Sequence, residues 1–215
     1  MKIINQSYVI NTFAYHSDIY DICEAYCSCY NTTVPWTFAE QCDFVEKHLR
    51  HGSPLEHSRL TVTFTTNIGI ATELLRHRHT AFTQESTRYC NYTKDKFGNE
   101  LTFIKNSAME QNDMLYARWI ADKKAEEEAY FDIITMGGRP EEARGVLSKD
   151  LKTTLKMTTN YREWRHIFKL RLAPSAHYQM RELLTPLYKQ LSKELPCVFP
   201  AIQKTEEPIA ILEEE

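Results

Sequence analysis

Residues 59–79 read RLTVTFTTNIGIATELLRHRH and pass from one secondary-structure pattern to another within a single segment. The first part, RLTVTFTT, alternates apolar and polar positions and is rich in β-branched side chains, which predicts a strand over 59–66 with one buried face. The second part, NIGIATELLRH, predicts a short helix over 67–77. This strand-to-helix order indicates a fold that combines helices with a sheet, and it places a cationic cluster at the end of the helix.

The remaining sequence predicts more helix than strand, with a capping box at Thr37 and Glu40 and a kink or break at Pro186. Apolar periodicity predicts helices over 18–30, 37–50, 109–136, 159–170 and 174–195, and strands over 2–10 and 101–104. We find no internal repeat and no low-complexity linker. We therefore predict one α+β domain over 1–205, in which long helices flank a small, mostly antiparallel sheet, followed by an acidic tail over 206–215.

The composition disfavours several classes of protein. Apolar residues make up 42% of the chain, charged residues make up 26%, and the net charge is −3. An acidic balance disfavours general nucleic-acid binding, which usually needs a basic excess. No apolar run has the length of a membrane span, and the N-terminus lacks a signal-peptide pattern. We expect no nucleic-acid or membrane partner and a cytoplasmic location, or the host cytoplasm if the protein is viral.

The cysteines and histidines do not show a recognised metal-binding pattern. The six cysteines lack the spacing of a disulfide framework, which favours reduced thiols. Cys23, Cys27 and Cys29 fall on a predicted helix without a CxxC pair, and His51 and His57 match no common ligand spacing. We expect no metal site.

The chain has only six glycines and no glycine-rich phosphate loop, so side chains would have to bind any phosphate. Arginine suits this role because its planar guanidinium pairs with two phosphate oxygens. The cluster Arg76-His77-Arg78-His79 is followed by Arg88 in a polar loop. A helix C-terminus accounts for one or two of these cations. The spacing alone leaves an anion site and a simple helix end as open alternatives.

Five segments, taken in order, resemble the motifs of one enzyme family. Arg76-His77-Arg78, Ser86 and Arg88 form the pattern RHR-x7-S-x-R, which is the signature of the flavin-dependent thymidylate synthases. HGSPLEH at 51–57 is similar to that family's HxTPFEH segment. The remaining matches are ARGVL at 143–147, the pair Asn160 and Arg162, and the helix carrying Leu170, Arg171, Ala176 and Arg181.

The resemblance implies a reaction and its cofactors. Enzymes of this family make dTMP from dUMP, taking a methylene group from methylenetetrahydrofolate and a hydride from FAD that NADPH has reduced. They are homotetramers whose active sites combine residues of several subunits. The resemblance implies an FAD site formed by Ser28, Ser53, Glu56, Arg76, His77, Arg78, Asn160, Arg162 and His166.

The resemblance also implies a substrate site and two catalytic residues. Arg171 would lie against the uracil and stabilise the negative charge that develops during reduction. His51 is a candidate for the folate or nicotinamide side. The implied dUMP site consists of Glu73, Gln84, Glu85, Ser86, Thr87, Arg88, Arg144 and Arg171. We interpret Ser86 as a substrate ligand, because no spacing assures it an activating base.

The chain departs from the family pattern at several positions: Glu73, Ala81, Thr83, Gln84, Ser148, His166 and the segment AHYQMR at 176–181. These departures keep a first alternative open, an FAD- and pyrimidine-nucleotide-binding flavoprotein with different chemistry. A second alternative is a non-enzymatic nucleic-acid-binding module that grips phosphates with the cationic cluster. A third is a structural oligomer in which the arginines pair across an interface.

Overall fold

The computed structural model describes residues 1–12 and 14–201 of the 215-residue chain. The strands are β1 Lys2–Ile4, β2 Ser7–Thr12, β3 Arg59–Asn67, β4 Ala81–Gln84, β5 Thr102–Ile104 and β6 Lys152–Asn160. The helices are α1 Tyr15–Tyr30, α2 Phe38–His48, α3 Ile68–Leu74, α4 Ser107–Glu110, α5 Asp113–Thr135, α6 Pro140–Ala143, α7 Tyr161–Arg171 and α8 Tyr178–Glu194. Single 3-10 turns lie at Ser53–Glu56, Asp95–Phe97 and Arg144–Val146.

Four strands form a sheet in the order β2-β3-β6-β4, and β1 pairs with β5 in a separate parallel pair. The hydroxyl groups of Thr61 and Thr158 lie 2.9 Å apart, and the Ile68 amide donates to the Leu151 carbonyl at 3.1 Å. Residue numbers therefore rise along β3 as they fall along β6, which is the antiparallel arrangement. The same reversal relates β2 to β3 and β4 to β6. The predicted mixed fold with a small, mostly antiparallel sheet is confirmed.

The chain divides into two compact units, each made from several segments. The first unit contains Met1–Ser7, Phe64–Arg76 and Thr83–Lys156, and the second contains Tyr8–Thr63, His77–Phe82 and the chain from Met157 onward. The single domain over 1–205 stays a prediction. The acidic tail predicted at 206–215 lies outside the described residues. Within the described ranges, no helix is both long and apolar enough to cross a bilayer.

Each unit has an aromatic core. In the first unit, Phe103, Trp119 and Tyr130 are buried with Leu101 and Leu151. In the second unit, α7 buries Trp164, Ile167 and Phe168, which recur at the three- and four-residue spacing of one helix face. The Phe168 ring packs edge-on against Tyr188 of α8 at 5.0 Å and against Phe199 at 5.8 Å. The core thereby fixes α7, so that its opposite, polar face has a defined direction.

Several element boundaries differ from those predicted. The Thr37 capping box is present. The helix predicted from 159 begins at Tyr161, because residues 152–160 form β6 and Asn160 caps the helix that follows. The helix predicted over 109–136 is interrupted where Asn112 caps α5. Helix α8 continues through Pro186 to Glu194, since Leu183, Leu187 and Leu191 bury one continuous face across that position.

Candidate active site

The cationic cluster forms a short link between α3 and β4. Helix α3 ends at Leu74, so the cluster lies beyond the helix rather than on its last turn. Arg76, Arg78 and His79 are exposed, whereas His77 is only 5% exposed. A histidine buried between exposed cations needs partners for its ring nitrogens.

Both ring nitrogens of His77 have such partners in the second unit. Nδ1 lies 3.1 Å from Oε1 of Glu163, and Nε2 lies 3.1 Å from Nε of Arg171. Burial and the Arg171 cation lower the pKa of His77, with a smaller contribution from His166 in the same direction, and the Glu163 carboxylate opposes them. The imidazole is therefore neutral at neutral pH.

Helix α7 supplies most of the neighbouring polar groups. The Asn160 side chain caps the helix by accepting a hydrogen bond from the Glu163 amide at 2.8 Å. Residues of the polar face and the neighbouring segments line a cleft of about 550 Å³: Glu56, His79, Asn160, Arg162, Glu163, Arg165, His166 and Lys169. Its permanent charges are three cations and two carboxylates, and its size is within the range of small-molecule sites.

The HGSPLEH segment meets α7 at Arg162. Nη1 of Arg162 donates to Oε1 of Glu56 at 2.6 Å. A Cβ atom on Gly52 would lie 3.0 Å from Nε of the same arginine, so glycine at this position lets the guanidinium pack against the backbone. Two segments that lie about a hundred residues apart in sequence thus form one wall of the cleft.

Several other residues predicted for the active site do not lie at this cleft. Ser28 is exposed on α1 and Ser53 is exposed on the first 3-10 turn, and neither lines the cleft. His51 is exposed, and its carbonyl accepts a hydrogen bond from Tyr26 at 2.9 Å. Arg76 belongs to the first unit, where its amide donates to the Glu73 carbonyl at 3.3 Å.

The first unit holds the segment predicted to bind dUMP. Glu85 is fixed by two contacts, from the Lys152 ammonium at 2.6 Å and from the Tyr92 hydroxyl at 3.1 Å. Burial and the Glu85 charge raise the pKa of Tyr92, which keeps its hydroxyl a donor. The next residue, Ser86, accepts a hydrogen bond from the Arg88 amide at 3.3 Å.

The guanidinium of Arg88 is half exposed and forms an ion pair. Its Nε donates to Oε2 of Glu141 at 2.9 Å, and Nη1 of Arg139 donates to Oε1 of the same carboxylate at 2.8 Å. Arg144 is exposed at the start of the last 3-10 turn. The side chains of Glu73, Gln84 and Thr87 are partly buried in the same unit, and Gln84 donates to the Thr153 hydroxyl at 3.3 Å.

Sequence reasoning assigned no role to three residues of the cleft: Glu163, Arg165 and Lys169. The spacing of Arg162, His166 and Lys169 follows one helix face and was the available signal. Glu163 gave no such signal, because its partner His77 lies 86 positions away.

Three residues also group as potential metal ligands. Ligand atoms of His77, Glu163 and His166 lie within 4.8 Å of one another. However, Arg171 donates to one ring nitrogen of His77, and the other nitrogen contacts Glu163. Both ring nitrogens of His77 are therefore already occupied, so the ring has no lone pair directed at an ion. The nearby Arg171 guanidinium would also repel a metal cation.

The family model for thymidylate synthase complementing proteins matches residues 15–197, which is most of the chain. The chain belongs to this family. Curated relatives include a flavin-dependent thymidylate synthase of Pyrococcus furiosus, 32% identical over 156 residues, which covers 69% of this chain and 63% of that protein. A probable flavin-dependent thymidylate synthase of Mycobacterium phage D29 is 30% identical over 156 residues, with 69% and 66% covered. This member of the family thus spans less than two thirds of the length of the Pyrococcus furiosus protein.

A solved structure extends the similarity to the fold. The UMP/dUMP methylase PolB from Streptomyces cacaoi, bound with 5-Br dUMP, aligns with a TM-score of 0.76 at 18% identity. The alignment covers 93% of this chain and 95% of that one. This family member therefore shares the fold of PolB over nearly the whole chain.

Proposed function

We propose that the protein is a flavin-dependent thymidylate synthase, which converts dUMP to dTMP with methylenetetrahydrofolate as carbon donor and NADPH as reductant. The observation that carries the proposal is the convergence of separate motif segments on one cleft of the second unit. Glu56 from HGSPLEH, together with Arg162 and His166 from α7, lines this cleft. His77 of the RHR motif contacts Glu163, which lines the same cleft.

The chemistry of the cleft fits FAD. Arg162 and Lys169 are donors suited to a pyrophosphate, and the Glu56 carboxylate is an acceptor suited to ribose hydroxyls. In the proposed site, Glu56, Asn160, Arg162 and His166 of the cleft hold the cofactor. Ser28, Ser53, Arg76, His77 and Arg78 do not line this cleft, and their role at FAD stays a prediction from the family motifs. When bound and reduced, FAD supplies the hydride of the reaction.

The chain's own residues bind the substrate and stabilise charge. Ser86, Arg88 and Arg144 hold the dUMP phosphate, and the exposed guanidinium groups are accessible to it. Glu73, Gln84, Glu85 and Thr87 complete the walls of that site. Arg171 stabilises negative charge on the uracil oxygen, a role suited to a donor that is already oriented before the reaction. His51 serves the folate or nicotinamide side.

We propose further that the enzyme acts as a homotetramer in the cytoplasm, with active sites shared between subunits. The resemblance to the flavin-dependent thymidylate synthases supports this assembly, and the guanidinium groups of Arg76, Arg78 and Arg144 are exposed and accessible to a ligand.

The test is NADPH oxidation by the FAD-loaded protein, measured with and without dUMP. Stimulation by dUMP is the expected result. Flavin binding and NADPH oxidation without any response to dUMP would contradict the proposal in favour of a flavoprotein with different chemistry. Absence of flavin binding, combined with salt-dependent oligonucleotide binding, would instead indicate a nucleic-acid module.

A further inference from the structure

Glu163, His77 and Arg171 form a continuous chain of hydrogen bonds in the second unit. The Glu163 carboxylate meets Nδ1 of His77 at 3.1 Å, and Nε2 of the same ring meets Nε of Arg171 at 3.1 Å. His77 is 5% exposed and Glu163 is 12% exposed, so the contacts are shielded from water. The family resemblance assigned no role to Glu163.

The donors and acceptors along this chain fix the position of one proton. The Nε–H group of arginine only donates, so Nε2 of His77 has to accept. The neutral ring then carries its proton on Nδ1, which donates to the Glu163 carboxylate. The opposite tautomer would bring two N–H donors together at Arg171 and leave Nδ1 as an acceptor facing a carboxylate.

Glu163 is itself held in place. It lies in the first turn of α7, where its amide donates to Oδ1 of Asn160 at 2.8 Å. The same helix carries Arg171 at its last position. The helix therefore supplies the first and the third member of the chain, and His77 connects them through its ring.

We propose that Glu163 is a positioning residue for Arg171 and acts through His77. The carboxylate accepts the proton on Nδ1 and so stabilises this tautomer. The unprotonated Nε2 then accepts from the Nε–H of Arg171 and fixes that edge of the guanidinium. Because a guanidinium is planar, fixing one edge fixes the orientation of the whole group. The inference rests on the proposed function for the role of Arg171 at the uracil, and it deepens that function by explaining how the donor is oriented.

The hydrogen bonds are measured first, by ¹⁵N nuclear magnetic resonance on the purified full-length protein with FAD added. We expect His77 to be protonated on Nδ1 and the Nε–H of Arg171 to exchange slowly with water. In Glu163→Ala this Nε–H should exchange faster, whereas Glu163→Gln keeps an acceptor for Nδ1–H and should retain slow exchange. Protonation of His77 on Nε2, or unchanged exchange in Glu163→Ala, would overturn the inference.

Kinetics then test the positioning role. Glu163→Ala should lower kcat by about 10- to 100-fold, the range for losing a hydrogen bond to a charged group, and Glu163→Gln should recover part of that loss. In an Arg171→Ala background, Glu163→Ala should cause little further loss, because its effect passes through Arg171. The exposed Glu24 on α1 offers matched controls, Glu24→Ala and Glu24→Gln, which should keep wild-type kcat. Additive losses in the double variant would contradict the proposal.

The two proposals fail in different ways. An Nδ1-protonated His77 in a protein that makes no dTMP would overturn the proposed function and leave the hydrogen-bond chain standing. Formation of dTMP by a protein whose His77 is protonated on Nε2 would overturn the chain alone. If Glu163→Ala does not fold, the comparison of Glu163→Gln with Glu24→Gln still tests whether an acceptor at this position is sufficient.

Discussion

The substitution Glu141→Gln should tighten the binding of dUMP. Glu141 pairs with Arg88 at 2.9 Å and with Arg139 at 2.8 Å, so a phosphate that binds Arg88 has to compete with this carboxylate. The side chains of Arg88 and Glu141 are 56% and 27% exposed, which places the pair among surface ion pairs worth about 0.2–1 kcal/mol. Releasing Arg88 should therefore improve the dissociation constant by about 1.4- to 5-fold.

Calorimetric titration of dUMP into the FAD-loaded protein measures this effect. The gain in affinity should shrink as salt is raised, because salt screens the interactions between exposed charges. Glu128→Gln on α5 removes the same charge from an exposed position and is the control. Arg88→Ala should weaken dUMP binding. Unchanged affinity in Glu141→Gln, or an equal gain in Glu128→Gln, would refute the competition between carboxylate and phosphate.

Three further predictions concern catalysis, pH and stability. Arg171→Ala should leave FAD bound, as judged by the flavin spectrum, but lower turnover by about 100-fold; near-normal turnover would remove it from catalysis. The pKa of His77 is lowered from 6.5, so the unfolded chain binds the proton more readily than the folded one, and the free energy of unfolding should decline as the pH falls through 6.5. This decline should be smaller in Arg171→Ala, because one cause of the pKa shift is gone. Identical pH profiles for the two proteins would contradict this cause. Lys123→Met should lower the free energy of unfolding, measured in urea, by about 3 kcal/mol, because the buried ammonium pairs with Glu126 and donates to Ser148 at 2.6 Å. The control Lys124→Met, at an exposed position, should change it little.

Local patterns in the sequence predicted the elements with strong signals. The alternation in RLTVTFTT predicted a strand over 59–66, and β3 spans Arg59–Asn67. Thr37 and Glu40 predicted the start of α2, because a capping box acts within four residues. Strand β6 gave a weaker signal, since two of its four buried side chains are Thr153 and Thr159, which look polar in sequence.

The candidate site shows more clearly that local patterns do not predict contacts between residues distant in sequence. The family motifs predicted Glu56, Arg162 and His166, which the structure brings to one cleft. They did not predict Glu163, because the role we propose for it depends on contacts with residues distant in sequence. His77 and Arg171 lie 94 positions apart, and only the packing of α7 brings them together. Residues that act through others leave no local pattern.

The central claim is the flavin-dependent methylation of dUMP. The most direct measurement is chromatographic detection of dTMP after the purified protein is incubated with dUMP, methylenetetrahydrofolate, NADPH and FAD. The account predicts dTMP formation that is lost when FAD or NADPH is omitted. Absence of dTMP from the complete mixture, or undiminished formation without FAD, would contradict it.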